Sequence, residues 1–197
     1  MGKKKDNSLL SAILDLRKIE AVCNPIEEAH GLPNECYTSS EYLKIERDKI
    51  FSDKWTVISV GSSIQNKGDA KPYELLGIPL IMIRGKDDKI RVFHNVCSHR
   101  GLKILKEPCT LKNVLRCPYH SWSYDFNGHL VATPNIGGLN THHLDNFDKS
   151  KNHLKEVRSK IWMDMIFINL NNNEIEFDEY IKPLERRWSK FISKDDQ

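Results

Sequence analysis

The sequence has no long apolar run and few cysteines. No stretch approaches the ~20 apolar residues that a membrane-spanning helix needs. Asp15, Arg17 and Lys18 interrupt the first apolar stretch too early for a signal peptide. Five cysteines among 197 residues are too few for a disulfide scaffold. We therefore expect a soluble, cytoplasmic protein that does not bind membranes and whose free thiols stay reduced.

A strong excess of one charge is also missing. The chain has 30 basic and 27 acidic residues, for a net charge of +3. This balance gives no electrostatic reason to expect nucleic acid binding. The sequence contains no low-complexity tract and no internal repeat. With 39% hydrophobic residues, it is long enough for one good core with small additions.

Helical patterns lie near the two ends of the chain. Apolar residues at helical spacing predict a helix over residues 8–22, and a loop rich in proline and glycine follows it. The pattern Thr38-x-x-Glu41 has the form of a capping box and predicts a second helix that ends near Phe51. Residues 177–191 predict the beginning of a further helix.

Between these ends the pattern changes to short β-rich runs. The runs are WTVISV, KPYELL, PLIMIR and KIRVFHNV between residues 55 and 96, and IWMDMIFINL at 161–170, which predicts one or two buried strands. Asn127-Gly128 is a strong hairpin signal and predicts a type I′ turn. Because no long helical run separates the strands, we expect a mainly β fold: an antiparallel domain with N-terminal helices and a C-terminal helix.

Four residues form a mixed set of metal ligands. The pairs Cys97-x-His99 and Cys117-x-x-His120 each offer one thiol and one imidazole, and seventeen residues separate them. A 2Fe–2S cluster of the Rieske type needs this supply, with two Cys on one iron and two His on the other. A structural zinc site is the alternative, since zinc also takes two Cys and two His. Zinc modules usually pair like with like, however, so the mixed pairs favour the cluster.

The residues around these ligands resemble a known family. CSHRG and CPYHSW are similar to the Rieske loops of ring-hydroxylating and related Rieske non-heme iron oxygenases, in the N-terminal part of their large subunit. The preceding segment LPNECYTSSEYLKIERDKIFSDKW resembles the lead-in to that domain, so the resemblance covers about residues 33–190. Leu102 and Tyr119 stand where respiratory Rieske proteins have two further cysteines. Ser121 departs from the oxygenase pattern, which usually has glycine there.

The resemblance implies a division of the chain and of its cofactors. Residues 1–53 would be a helical lead-in, 54–170 the antiparallel Rieske 2Fe–2S domain, and 171–197 the beginning of a catalytic domain that is otherwise missing. The four Cys and His ligands would hold the cluster, and no residue would be catalytic. The mononuclear Fe(II) that activates dioxygen in such oxygenases would belong to the missing domain. The chain alone would then not oxygenate a substrate.

The resemblance also implies partners. A ferredoxin or flavin reductase would donate electrons, and the catalytic domain or a neighbouring subunit of a homo-oligomer would accept them. Arg100, Lys103 and Lys106 follow the first Cys–His pair and would attract an acidic donor, unless they are only a solvated basic surface. A self-contained Rieske ferredoxin is the alternative function, although a ferredoxin does not need the helices at either end.

One further group of residues imitates a second iron site. His143, Asp145 and His153 offer two imidazoles and a carboxylate, the ligand set of a mononuclear non-heme iron. They lie in a polar segment where histidines are usually solvated. We therefore expect them to be surface residues rather than ligands.

Overall fold

The computed structural model describes residues 13–171 and 175–191. The chain divides into two compact units, Met1–Lys54 and Trp55–Gln197. The three-part division implied by the family resemblance remains a prediction. No helix within the described residues is long and apolar enough to cross a bilayer.

The described part of the first unit is helical. Its helices are α1 (Leu16–Val22), α2 (Glu35–Thr38) and α3 (Ser40–Glu46), and α3 continues into a π-helical turn, Arg47–Phe51. The N-terminal third of the helix predicted over 8–22 lies outside the described residues. The predicted capping box is wrong by one residue. Ser39, not Thr38, is the N-cap of α3 and accepts a hydrogen bond from the Tyr42 N–H at 3.1 Å.

Thr38 fails as a cap because it closes the preceding helix instead. It is the last residue of α2, and its hydroxyl donates to the Asn34 carbonyl at 3.0 Å. A threonine hydroxyl competes for such a carbonyl one turn back whenever its residue is helical. The capping pattern therefore identified the helix, while the short helix before it decided which residue begins it.

In the described residues of the second unit there are ten strands, all paired antiparallel. They are β1 (Thr56–Val60), β2 (Asp69–Leu75), β3 (Ile78–Arg84), β4 (Ile90–His94), β5 (Cys109–Thr110), β6 (Leu115–Arg116), β7 (Ser123–Tyr124), β8 (Leu130–Ala132), β9 (Glu156–Trp162) and β10 (Met165–Asn169). Seven form a sheet in the order β1-β10-β9-β4-β3-β2-β5, and three form a smaller sheet in the order β6-β7-β8. The predicted mainly β, antiparallel fold is confirmed.

One hydrophobic core lies between the two sheets. Ile81, Ile83 and Phe93 of the larger sheet share it with Tyr124 and Leu130 of the smaller sheet. Strands of the larger sheet that face this core carry near-continuous apolar runs, as β3 does in IPLIMIR. Cys97 and Cys117 belong to the same buried cluster. The core therefore lies directly beneath the predicted ligand residues.

The C-terminal helix, α4 (Phe177–Trp188), packs on a second apolar cluster. Trp55, Phe167 and Phe177 meet there, with the Trp55 and Phe177 rings edge to face at 5.2 Å. The Trp55 indole N–H donates to the Ile175 carbonyl at 2.9 Å. This cluster holds the helix against the edge of the larger sheet that is formed by β1, β10 and β9.

The hairpin at Asn127-Gly128 exists, but its turn is not type I′. A type I′ turn needs positive φ at both central residues. Here only Gly128 is left-handed, with φ +80°, and its N–H donates to the Asp125 carbonyl at 3.1 Å. The loop is the three-residue form in which a left-handed glycine follows the turn. Glycine is required for a second reason, since a Cβ at this position would lie 2.5 Å from the Phe93 ring.

Candidate metal centre

Two loops of the second unit carry the predicted ligands. The first loop (residues 95–105) follows β4, and the second loop (117–122) joins β6 to β7. In the first loop the Cys97 N–H donates to the Leu102 carbonyl at 2.8 Å, and the Gly101 N–H donates to the Cys97 carbonyl at 2.9 Å. These bonds close a tight turn that begins at the cysteine.

The second loop repeats this backbone arrangement. The Cys117 N–H donates to the Trp122 carbonyl at 2.8 Å, and the Ser121 N–H donates to the Cys117 carbonyl at 3.0 Å. The fifth residue of each turn is left-handed, with φ +72° at Gly101 and φ +59° at Ser121. A sharp turn therefore lies at Gly101. Apart from Gly101 and its two chain neighbours, no atom of the described residues lies within 4 Å of a Cβ placed there, so glycine is favoured by φ rather than by crowding.

The two cysteines meet at the buried end of the site. Cys97 and Cys117 are each 2% exposed and lie in the same buried cluster, with the two thiols close enough to influence each other electrostatically. Burial raises the pKa of the Cys117 thiol, while the backbone N–H groups of Tyr119 and His120 point at its sulfur and act in the opposite direction. Those N–H groups are placed to stabilise a thiolate there.

The two histidines meet at the outer end of the site. The His99 and His120 rings are partly exposed, and their centroids are 4.7 Å apart. Burial, with the charges of His120 and Arg100, lowers the pKa of His99. The lowered pKa favours the neutral imidazole, the form that binds a metal. The Trp122 ring stacks on His99 at 4.5 Å and is backed by Phe147.

A buried nitrogen shows where a metal would fit. The Nδ1 atom of His120 is buried and has no hydrogen-bond partner among the residues that the structure describes. Such an atom is costly to leave unpaired unless it binds something. Since thiols meet thiols and imidazoles meet imidazoles, the site offers two sulfur donors to one iron and two nitrogen donors to another. The residues fit a Rieske 2Fe–2S cluster.

The same geometry does not suit zinc. A structural zinc site brings four donors around one ion. In residues 13–171 and 175–191, no three Cys, His, Asp or Glu side chains are placed to hold a single metal ion. A cluster with two protein ligands on each iron does not need such a group. The zinc interpretation is therefore disfavoured by the arrangement as well as by the spacing.

His143, Asp145 and His153 are not arranged around a common point where they could bind one iron. His143 lies 3.3 Å from Asp145 in an exposed ion pair. His153 accepts a hydrogen bond from the Leu130 N–H at 3.0 Å through Nδ1 and packs against His129. Its position is determined by strand β8 and not by the segment that contains His143.

Two polar contacts around the first loop were not found from the sequence. Asn95 is fully buried, and its side-chain oxygen accepts from the N–H groups of Ile104 and Leu105 at 3.1 and 2.9 Å. The Tyr124 hydroxyl lies 3.3 Å from the Cys97 sulfur. Burial, followed by the contact with Cys97, raises the pKa of Tyr124, so its hydroxyl stays protonated. In the sequence Trp122, Tyr124 and Phe126 alternate with polar residues, and this pattern does not reveal the polar role of Tyr124.

The predicted basic surface is partly neutralised. Arg100 and Lys106 are exposed, while Lys103 lies 3.9 Å from the carboxylate of Glu74. A cavity of about 500 Å³ opens beside the two imidazoles, with Arg100 and Tyr119 in its lining. The outer end of the site is therefore accessible and has both apolar and basic surroundings.

Comparison with known proteins agrees with this geometry. The family model for the Rieske 2Fe–2S domain matches residues 54–143. The chain is 33% identical over 157 residues to the alpha subunit of 2-aminobenzenesulfonate 2,3-dioxygenase from Alcaligenes sp., which covers 79% of this chain and 39% of that one. It is 30% identical over 165 residues to the carnitine monooxygenase oxygenase subunit of Escherichia coli K12, covering 84% and 43%.

Solved structures give the same result. A crystal structure of the quaternary ammonium Rieske monooxygenase CntA with L-carnitine matches with a TM-score of 0.69 at 30% identity, covering 80% of this chain and 44% of that chain. Naphthalene 1,2-dioxygenase with bound phenanthrene matches with a TM-score of 0.68 at 25% identity, covering 80% and 35%. The second unit is thus a Rieske 2Fe–2S domain.

The chain therefore carries a Rieske 2Fe–2S domain and is similar, over most of its length, to the oxygenase subunits of Rieske-type monooxygenases and dioxygenases. It spans less than half the length of the curated relatives it matches.

Proposed function

We propose that this chain holds a Rieske 2Fe–2S cluster through Cys97, His99, Cys117 and His120 and serves as the electron-transfer part of a Rieske-type oxygenase. The observation that supports it best is the meeting of the two buried thiols at one end and the two imidazoles at the other. When bound, such a cluster accepts and releases one electron at a time. The chain's own residues bury the sulfur ligands and leave the imidazole edge open to a partner.

The ligand assignment is tested by replacing one cysteine at a time. Cys97→Ser and Cys117→Ser should each abolish the visible absorption and the reduced-state paramagnetic signal of the cluster, because one iron loses half of its protein ligands. Cys109→Ser is the matched control, since Cys109 is exposed and lies on β5, outside the two loops. Iron and labile sulfide analysis measures the loss directly. A Cys117→Ser protein with its full iron content and an unchanged signal would refute the assignment.

We propose that the electron leaves through the imidazole edge toward a mononuclear iron outside residues 1–197. The partial exposure of His99 and His120 supports this direction. A solved structure of a quaternary ammonium Rieske monooxygenase gives insight into inter-subunit electron transfer in that protein, and we propose the same route through a homo-oligomer here. The isolated 197-residue chain should therefore cycle electrons without incorporating labelled oxygen into an organic substrate. Incorporation by that chain alone would disprove this part.

We propose further that an acidic ferredoxin or a flavin reductase supplies the electron near Arg100 and Lys106. Charge reversal of both residues should slow cluster reduction several-fold at low salt, and the difference should shrink as salt is added. Lys103 is left unchanged because Glu74 already pairs with it. Lys89→Glu is the control, since Lys89 precedes β4 and therefore lies at the opposite end of that strand from the first loop. Equal reduction rates for all variants at every salt concentration would remove this surface as the donor site.

The stand-alone ferredoxin is not proposed. The relatives reported above are oxygenase subunits of either monooxygenases or dioxygenases.

A further inference from the structure

The Tyr124 hydroxyl lies between two hydrogen-bond acceptors. The Cys97 sulfur is 3.3 Å away, and the Ser98 Oγ atom is 2.9 Å away. Both distances suit a hydrogen bond, because sulfur is larger than oxygen. Tyr124 itself is fully buried, so water does not compete for its proton. A phenol has only one proton to donate, and the two acceptors must share it.

The direction of the Ser98 hydroxyl follows from its other neighbour. Ser98 Oγ lies 2.7 Å from the Asn152 carbonyl oxygen, which has no proton and must accept. The serine proton is therefore directed at Asn152, and Oγ presents a lone pair to Tyr124. The Ser98 N–H donates to the Tyr124 oxygen at 3.1 Å, which strengthens the phenol as a donor. The Ser98 N–H thus makes the Tyr124 hydroxyl a stronger hydrogen-bond donor, while the Ser98 Oγ atom competes with the Cys97 sulfur to accept its proton.

We propose that Ser98 is a positioning residue that sets how strongly Tyr124 hydrogen-bonds to the Cys97 sulfur, and thereby sets the reduction potential of the cluster. The proposal rests on the ligation by Cys97 proposed above. Hydrogen bonds to ligand sulfurs stabilise the added negative charge of the reduced state and raise the potential. The carbonyl of Asn152 enters the same network, so the 3₁₀ turn Lys149–Asn152 helps to determine the position of the Ser98 hydroxyl.

Substitutions at Tyr124 and at Ser98 should shift the reduction potential of the cluster in opposite directions. Tyr124→Phe removes the donor and should lower the potential. Ser98→Ala removes the competing acceptor, leaves the Ser98 N–H in place and should raise it. We expect the ratio of reduced to oxidised protein at a fixed ambient potential to change about tenfold in each case, which for one electron is about 59 mV. A general loosening of the loop would not give two opposite shifts.

The experiment is a redox titration of the loaded protein, followed by its visible absorption. Ser98→Ala, Ser98→Thr, Tyr124→Phe and the double variant Ser98→Ala with Tyr124→Phe are compared with the unchanged protein. Ser98→Thr keeps the hydroxyl and should titrate like the unchanged protein. In the double variant the Ser98 change should have no further effect, because Ser98 acts through the tyrosine. A Ser98→Ala potential that is unchanged, lowered or still raised without Tyr124 would overturn the proposal.

The iron and sulfide content of each protein distinguishes a failure of the Ser98 proposal from a failure of the ligand assignment. Iron and sulfide absent from the unchanged protein would mean that the ligand assignment fails. A loaded Ser98→Ala protein with an unshifted potential would mean that only the role of Ser98 fails. If Ser98→Ala does not retain the cluster, Ser98→Gly removes the same oxygen and replaces it in the titration. Loss of the cluster from both, with Ser98→Thr still loaded, would assign Ser98 to holding the loop and would also overturn the proposal.

Discussion

The two ligand loops have the same backbone hydrogen bonds but are supported differently. In each, the cysteine N–H bonds to the carbonyl five residues on, and the fourth residue after the cysteine is left-handed. The second loop lies inside a hairpin, where Arg116 pairs with Ser123 and holds its two ends together. The first loop follows β4, and among the described residues no strand pairs with its far end, near residue 105.

A buried side chain replaces the missing strand pair in the first loop. Asn95 makes two hydrogen bonds to backbone N–H groups and one to the Leu105 carbonyl, at 2.6 Å. The Asn95 side chain therefore supplies backbone hydrogen bonds at the loop end of the kind that a neighbouring strand would provide. The comparison shows that one ligand-turn geometry can be maintained either by strand pairing or by a single amide side chain.

Removing the Asn95 amide should have the largest effect on stability. Asn95→Leu loses three hydrogen bonds and leaves two N–H groups and one carbonyl without their partner, so we expect a loss of about 3 kcal/mol in the free energy of unfolding. Urea unfolding of the iron-free and loaded proteins measures it. Asn113→Leu, at an exposed position, is the control and should change the stability little. Equal losses for the two variants would mean that Asn95 does not hold the loop.

Exchanging the glycine of the first turn should have a smaller effect. Gly101→Ser places a side chain at φ +72°, which costs roughly 1–2 kcal/mol. The surrounding protein leaves space for the new Cβ, so the cost is conformational. Gly31→Ser, which also has open space but no left-handed backbone, should cost much less. Thermal unfolding distinguishes them, and an unchanged melting temperature for Gly101→Ser would contradict the strain argument.

The reverse exchange in the second turn should have the smallest effect and the opposite sign. Ser121 is left-handed at φ +59°, so Ser121→Gly relieves strain, while the greater freedom of glycine in the unfolded chain offsets part of the gain. We expect stabilisation of below about 1 kcal/mol. Ser62→Gly, at a position without positive φ, should instead be slightly destabilising. If both variants lower the denaturation midpoint alike, Ser121 is not strained.

The sequence was sufficient to predict the longer strands, the antiparallel class and the candidate ligands, but not the two-residue strands β5 and β6. Each of these is expressed in a short local pattern, such as the apolar run of β3 or the pair Cys97-x-His99. Turn details were less predictable. Thr38 was assigned as a helix cap that Ser39 provides, and Asn127 was given a left-handed backbone that only Gly128 has, since neighbouring segments decided both cases.

Only the tertiary structure decided which ligands meet and what surrounds them. In the sequence each cysteine is next to a histidine, yet in the fold thiol faces thiol and imidazole faces imidazole, because the two turns approach each other. The contact of Tyr124 with Cys97 joins residues 27 positions apart, and that of Ser98 with Asn152 joins residues 54 positions apart. Such hydrogen bonds depend on how the smaller sheet packs on the larger one. Local spacing identifies the candidate ligands, whereas the environment that would determine their chemistry exists only once both sheets share one core.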